Sequence, residues 1–327
     1  MKDLYFEPNY GKLNEEIEEG KSTVFEFDGK YGKVYHMFIK REIEQKVDGN
    51  TWYDLITPYG YGGPIILECQ ENKEEFLIEE FNREFEKYCL NNSIVSEFIR
   101  FHPMYDNARD FEKMYDVSYI RNTIATDLEA SDDPFQSEFS KSCRKNVRRA
   151  LRDGISYRIS ESPDDINNFK EIYYSTMDRN EANDYYYFEN EYFDKCLELL
   201  KDKIILVEAS FEEKTIAMGF YFVYHKNIHI HLSGTLSQYL KLSPAYILRY
   251  AVTEWGKENG YKYIHHGGGR SNSEDDSLYK FKKQFGNTEF KFHIGKKIWN
   301  EEVYDKLSSA VDGDKDSDFF PLYREVH

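Results

Sequence analysis

Residues 244–269 read Pro-Ala-Tyr-Ile-Leu-Arg-Tyr-Ala-Val-Thr-Glu-Trp-Gly-Lys-Glu-Asn-Gly-Tyr-Lys-Tyr-Ile-His-His-Gly-Gly-Gly. Ile247, Leu248, Ala251, Val252 and Trp255 recur at helical spacing, so Pro244–Asn259 is expected to be a helix with one apolar face. Gly260 stops it. Tyr261–His265 then reads as a short strand running into Gly267-Gly268-Gly269. Leu278, Phe281 and Phe285 mark a further helix, and Gly286-Asn287 turns into a final strand, Glu289–Ile298. A strand end opening into glycines is where an open α/β sheet takes its ligands.

Working outward, Lys203–Ser210, Thr215–Tyr224 and Asn227–Gly234 read as three strands, the first two joined by a turn at Glu212-Glu213-Lys214. Ile155, Tyr157 and Ile159 alternate as another strand. Ser162-Pro163-Asp164-Asp165 opens a helix carrying Ile166, Phe169, Ile172 and Tyr173, and a second helix spans 189–200. From residue 155 the order is β-α-α-β-β-β-α-β-α-β. The first half repeats its later part: strands at Thr23–Phe27, Val34–Lys40 and Trp52–Thr57, a helix at Glu74–Leu90, and a strand at Ile94–Phe101. A short helix at Ala108–Lys113 and a strand at Val117–Thr126 follow. The acidic stretch Glu129–Pro134 is the expected linker. The expected domains are 1–133 and 134–299. After the charged run Asp312–Asp318, the apolar end Phe319–Tyr323 implies that segment 300–327 packs back on the first domain.

A chain of 327 residues is ample for two domains. With 43 Lys and Arg against 60 Asp and Glu, the net charge is −17. So acidic a surface argues against a protein that coats nucleic acid or an anionic membrane, without excluding a local basic site. The 28 Tyr exceed what a core needs, because each buried hydroxyl wants a partner; some are expected to line a polar cleft. Cys69, Cys89, Cys143 and Cys196 have no paired spacing and read as free thiols of a reducing compartment. The N-terminus lacks the apolar run of a signal peptide, and no stretch of about 18 apolar residues exists to span a membrane. A cytoplasmic protein is expected.

Three segments stand out chemically. Ser140–Gly154 (Ser-Lys-Ser-Cys-Arg-Lys-Asn-Val-Arg-Arg-Ala-Leu-Arg-Asp-Gly) carries six Lys or Arg within 141–152. Cys143, Val147, Ala150 and Leu151 share one helical face, while Lys141, Lys145, Arg148 and Arg152 share another. The basic face is either a solvated balance to nearby acid or a phosphate-binding surface. Tyr59-Gly60-Tyr61-Gly62-Gly63 allows close backbone approach, or simply a tight turn. It is neither a Walker loop nor a dinucleotide fingerprint. His265–Arg270 with Leu278–Gly286 is the third, where Lys280, Lys282 and Lys283 lie just beyond the glycines. Phe281 and Phe285 are expected to face the core, which points Lys282 to a flank. His229, His231, His265 and His266 sit on two strands that can meet, but no third ligand type at standard spacing accompanies them, so no metal is expected. No Gly-x-Ser-x-Gly elbow is present.

Together these segments resemble the Fem family of non-ribosomal peptidyltransferases and its FemAB-like relatives, within the GCN5-related N-acyltransferase (GNAT) superfamily. The resemblance rests on Lys141–Gly154, on Pro244–Gly269 and on Leu278-Tyr279-Lys280-Phe281-Lys282-Lys283-Gln284-Phe285-Gly286. It covers about 140–290, and in the first half rests on Tyr59–Pro64. It implies an α/β fold of two tandem GNAT-like domains, each a mixed sheet flanked by helices and splayed where the acyl donor sits. Too few residues separate Gly154 from Lys203 for the helical arm of some members. It implies an enzyme that moves an activated acyl group, from aminoacyl-tRNA or an acyl thioester, to an amine acceptor such as a muropeptide precursor of the peptidoglycan cross-bridge. No cofactor is implied. Lys282 would meet the developing negative charge, with Tyr279 and Tyr246 as catalytic wall residues. Arg144, Lys145, Arg148, Tyr59, Tyr61, Gly267, Gly268, Gly269 and Arg270 would bind substrate. The chain departs from the family in His265-His266, where Asp-Phe is common. Ser237–Ser243 lacks the Arg/Gln-x-x-Gly-x-Gly/Ala cradle of CoA-dependent relatives. A CoA-dependent N-acyltransferase of polysaccharide or small-molecule metabolism, and a non-catalytic binding protein, are the alternatives.

Overall fold

The computed structural model describes residues 2–179, 187–271, 273, 275–309 and 319–325. The chain is α/β, with mixed sheets flanked by helices, and forms two compact units: Met1–Ile120 with Lys291–His327, and Arg121–Phe290.

The first unit opens with α1 (Pro8–Leu13) and the strands β1 (Gly20–Gly29), β2 (Gly32–Val47), β3 (Asn50–Ile56) and β4 (Ile65–Cys69). After α2 (Glu74–Asn91), β5 (Ile94–Arg100) and α3 (Asn107–Asp110) follow. β1, β2 and β3 pair antiparallel in succession, and β4 returns to β2. β3 and β5 pair in parallel, which α2 makes possible as the crossover between them. Leu77, Phe81, Phe85 and Cys89 recur every four residues along α2 and are buried. They pack on Phe38, Leu55, Ile94 and Ile99 of the sheet.

The chain passes into the second unit within β6 (Asp116–Asp127). There follow α4 (Pro134–Glu138), α5 (Lys141–Arg152), β7 (Ser156–Glu161), α6 (Asn167–Arg179), α7 (Asn190–Leu200) and β8 (Ile204–Phe211). Then come β9 (Lys214–Tyr224), β10 (Asn227–Thr235), α8 (Pro244–Glu258), β11 (Tyr263–Gly268) and α9 (Ser277–Lys282). The sheet runs β6-β11-β10-β9-β8-β7. Ile247, Leu248, Ala251 and Val252 of α8 are fully buried, as their spacing requires. They share a core with Cys143, Val147 and Ala150 of α5 and with Val207, Ala209 and Ile216 of the sheet. All four cysteines are free.

β12 (Thr288–Ile298) corrects one expectation. It reads as the last strand of the second half, yet Ile294–Ile298 pair antiparallel with Ser96–Arg100 of β5 in the first unit. Conversely β6, from the first half of the sequence, supplies the second unit with the strand outside β11. The compact units therefore divide at 120/121 and 290/291 rather than at 133/134 and 299/300. Glu129–Pro134 lies inside the second unit, where Lys257 Nζ donates to the carbonyls of Leu128 (2.9 Å) and Ser131 (2.8 Å). A period-two pattern marks a strand but does not name its partner.

The segment after β12 stays with the first unit. Val303 and Leu307 of α10 (Glu301–Ser309) pack on Ile43, Val47 and Val95. Tyr323 and Ser96 hydroxyls meet at 2.7 Å, and Arg324 Nε donates to buried Asp54 at 2.6 Å. The run Asp312–Asp318 lies outside the described residues.

A fragment 134–299 lacks β6, so one edge of β11 is bare and Thr126 and Leu128 are missing from the interior. Such an edge is a site of aggregation. We expect this fragment to show no cooperative urea transition by circular dichroism; a sharp two-state transition would contradict the strand assignment.

Candidate active site

β10 and β11 run side by side, in parallel, for only three residue pairs: Asn227 with Tyr263, Ile228 with Ile264 and His229 with His265. Beyond them β10 stays on β9 as far as Thr235, and β11 stays on β6 as far as Gly268. Each strand is irregular at the parting, β10 between Ile230 and Leu232 and β11 between His265 and Gly267. A bulge bends its strand and sharpens the twist. Two bulges at one level spread the strands into a fork. Gly267 sits in the β11 bulge at φ 73°, a conformation that a Cβ disfavours.

The next two glycines are explained by the protein's own packing. A Cβ on Gly268 would lie 3.0 Å from Arg121 Cδ, and one on Gly269 would lie 2.6 Å from Asp276 Oδ1. Asp276 is the cap of α9: Oδ1 accepts from Tyr279 N, and Oδ2 from Arg270 N and Ser271 N, each at 2.8 Å. Those backbone donors hold its carboxyl well below the usual range. Arg270 contributes its backbone here, and its side chain is exposed. Arg121 donates to the Gly269 carbonyl.

With α9 so fixed, Lys282 turns onto β11 and not to a flank. Its Nζ donates to the Gly268 carbonyl at 2.7 Å. Burial is the main reason that its ammonium is weakened to about 7, aided by the cations Arg249 and Arg121 and opposed by Asp276. Arg249 of α8 is buried and donates to the hydroxyls of Tyr221 and, at 3.4 Å, of Ser233. Among the described residues it forms no ion pair, and its Nε makes no hydrogen bond. Sequence reasoning missed Arg249, because one basic residue within an apolar helix pattern carries no mark of depth.

The paired histidines differ. His265 Nε2 lies 2.8 Å from Thr123 Oγ1, and its ring meets that of His229 at 5.9 Å. His266 Nε2 lies 2.8 Å from Thr126 Oγ1, and its ring stands 5.9 Å from Phe285. No group of three potential metal ligands occurs among the described residues.

The remaining expected site residues are dispersed. Tyr246 packs on Phe281 and Phe285, each at 5.5 Å, with its hydroxyl against the Gln284 amide. The Tyr279 hydroxyl bonds Glu289. On α5, Arg144 donates to the carbonyls of Gln136 (2.8 Å) and Phe139, so it closes the end of α4. Arg148 donates to Gln136 Oε1 at 3.0 Å and lies over the Phe135 ring, while Lys145 is exposed. Tyr59 and Tyr61 belong to the first unit. The Tyr59 carbonyl accepts from Tyr10 Oη at 2.8 Å, and the Tyr61 ring meets Tyr5 at 5.4 Å and His102 at 5.7 Å. Asn107 ties their loop by donating to the carbonyls of Gly62 and Pro64, both at 2.9 Å.

Residues 137–291 match the acetyltransferase (GNAT) domain family, and the fork lies within them. The chain is 25% identical over 167 residues to a UDP-N-acetylmuramoylpentapeptide-lysine N(6)-alanyltransferase from Weissella viridescens. The aligned stretch is 50% of this chain and 48% of that protein, so the chain spans about half the length of this curated relative. The crystal structure of FemX superposes with a TM-score of 0.71, covering 93% of this chain and 94% of the other at 12% identity. Residues 137–291 carry the GNAT domain pattern, and the chain is similar to FemAB-like transferases in sequence and to FemX in fold. L-PGS from Bacillus licheniformis is similar in fold at a TM-score of 0.51, with 15% identity over 88% of this chain and 91% of the other. Among the described residues, no helix is long and apolar enough to cross a membrane.

The two basic residues of α5 should separate in urea titrations. Arg144→Ala removes donors to two carbonyls and is expected to cost about 1 kcal/mol, the scale of one net hydrogen bond. Lys145→Ala, exposed, should stay within about 0.5 kcal/mol of the parent. Equal stability of the two variants would show that the Arg144 contacts carry no weight.

Proposed function

We propose that the protein is an acyltransferase that moves an activated acyl group, in the first instance an aminoacyl group from aminoacyl-tRNA, onto the amine of a muropeptide precursor in the cytoplasm. The observation that carries this reading is the Lys282 ammonium, held on the Gly268 carbonyl beside the fork. The alanyltransferase likeness supports the choice of donor and acceptor. The two compact units are read as tandem GNAT-like domains, the first completed by the segment after β12.

Attack of a neutral amine on an ester passes through an oxyanion, and no covalent enzyme intermediate is needed. The enzyme has to align the reactants, stabilise the oxyanion and move a proton. Lys282 meets the oxyanion as a partly buried cation, where charge acts more strongly than in water. Tyr279 and Tyr246 line the approach. Lys145 and Arg148 on α5 hold donor or acceptor phosphates, and Gly267–Arg270 contact substrate. Acyl-CoA is the second reading, favoured by the acetyltransferase-domain match. Against it, residues Ser237–Leu242 before α8 form a 3-10 turn of sequence Ser-Gln-Tyr-Leu-Lys-Leu with no glycine. A micromolar Kd for acetyl-CoA by calorimetry would promote it.

If Lys282 meets charge mainly in the transition state, Lys282→Ala lowers kcat by about 10²–10³ with little change in KM. The charged form prevails below its pKa, so kcat/KM of the parent should fall as pH rises through about 7. In Lys282→Arg that fall should disappear, because guanidinium stays charged. Unchanged kcat in Lys282→Ala would remove it from the reaction. Arg148→Ala should chiefly raise KM, by a factor that shrinks at high salt; a salt-independent defect with lost stability would make α5 structural.

A further inference from the structure

We propose that His266 is the proton acceptor of the transfer, taking the amine proton on Nδ1 while Lys282 holds the oxyanion; this rests on the acyl-transfer reading above.

Hydrogen counting fixes the ring's tautomer. The Thr126 hydroxyl has one hydrogen, and it is donated to the Phe285 carbonyl at 2.6 Å. The same oxygen lies 2.8 Å from His266 Nε2, so it can only accept there. Nε2 therefore carries the hydrogen, and Nδ1 of the neutral ring presents a lone pair. That atom is buried in a residue only 1% exposed, and among the described residues it makes no hydrogen bond. Other buried histidine nitrogens, such as His36 Nδ1, are bare as well, so what distinguishes His266 Nδ1 is its place at the fork beside Lys282 and Arg249.

The ring also stands in the right place. His266 is the first residue of β11 beyond the last parallel pair with β10. Its ring meets Phe285, while two residues on, the Gly268 carbonyl holds Lys282 Nζ. Lys282 and Arg249 both act electrostatically on the His266 ring, so imidazole and ammonium are neighbours beside the fork. The charged and titratable groups around the ring are Arg249 from α8, Lys282 from α9 and adjacent His265. Burial first, then these neighbours, hold the imidazole well below its usual protonation range. Burial weakens the Lys282 ammonium to about 7. Between the two, a neutral base and a charged oxyanion partner coexist, the separation that acid–base sites require.

The step balances. The amine nitrogen attacks the acyl carbon, a C–N bond forms, and the carbonyl π pair moves to oxygen beside Lys282. The N–H proton passes to Nδ1. The oxyanion then collapses, the bond to the ester oxygen breaks, and the proton on Nδ1 goes to that leaving oxygen. An amide and an alcohol result, and His266 is again neutral.

His266→Gln keeps an N–H donor for Thr126 but has no basic nitrogen. We expect kcat to fall at least about 10²-fold with KM little changed, the scale of a lost general base. In His266→Ala, added imidazole is expected to restore part of the rate, rising with pH as imidazole loses its proton. Parental kcat in His266→Gln, or a defect in His266→Ala that imidazole leaves untouched, overturns the proposal. Nitrogen-15 NMR of the parent ring gives an arm independent of activity. A protonated Nδ1 near neutral pH sinks the proposal by itself. A parent inactive with charged tRNAs and acyl-CoAs alike would instead count against the acyl-transfer reading.

Discussion

The three-pair parallel ladder between β10 and β11 is the constraint on which the site depends. Where the ladder stops, the facing backbone groups lose their partners, and backbone polar groups away from water need others. Each strand answers with a bulge and stays with its outer neighbour, β10 with β9 and β11 with β6. The opening then requires Gly267 at positive φ, the Asp276 cap that folds the following loop, and Lys282 on the Gly268 carbonyl. Closing the fork by extending the ladder would remove every one of these features.

Charge at this place runs against the charge of the whole chain. A protein with a net charge of −17 has placed Arg249, Lys282 and Arg121 near one another, and among the described residues Asp276 is the acidic group that acts on Lys282. Four donors from the loop and α9 already occupy that carboxylate. Buried charge is costly without a partner. The cationic side chains here thus outnumber the acidic group that faces them, and the local field is positive.

Much of this was legible in the chain. The apolar spacing of α8 and the strand before the glycines follow from local pattern, whereas the register that sets His229 beside His265 does not. The direction of Lys282 does not, because it depends on the Asp276 cap and not on the Phe281–Phe285 spacing. Nor does the partner of β12, because alternation is the same whichever sheet receives it. Short elements such as β4, α1, α4 and α10 escape because a few residues carry too little periodicity. The basic run of α5 was read as a phosphate surface or a solvated face; Arg144 adds a third use, closing α4.

The placement of β12 and the segment after it bears on how the chain matures on the ribosome. Synthesis is vectorial, and domains that are contiguous can fold as they emerge. Here residues 121–290 are all made before residues 291–327 appear, whereas the unit begun by residues 1–120 also takes in 291–327. The half translated first is thus the half finished last. Until Ile294–Ile298 reach β5, that strand's edge is open to any passing nascent chain. A chain that stopped after residue 290 would hold both strands of the fork while leaving the first unit unfinished.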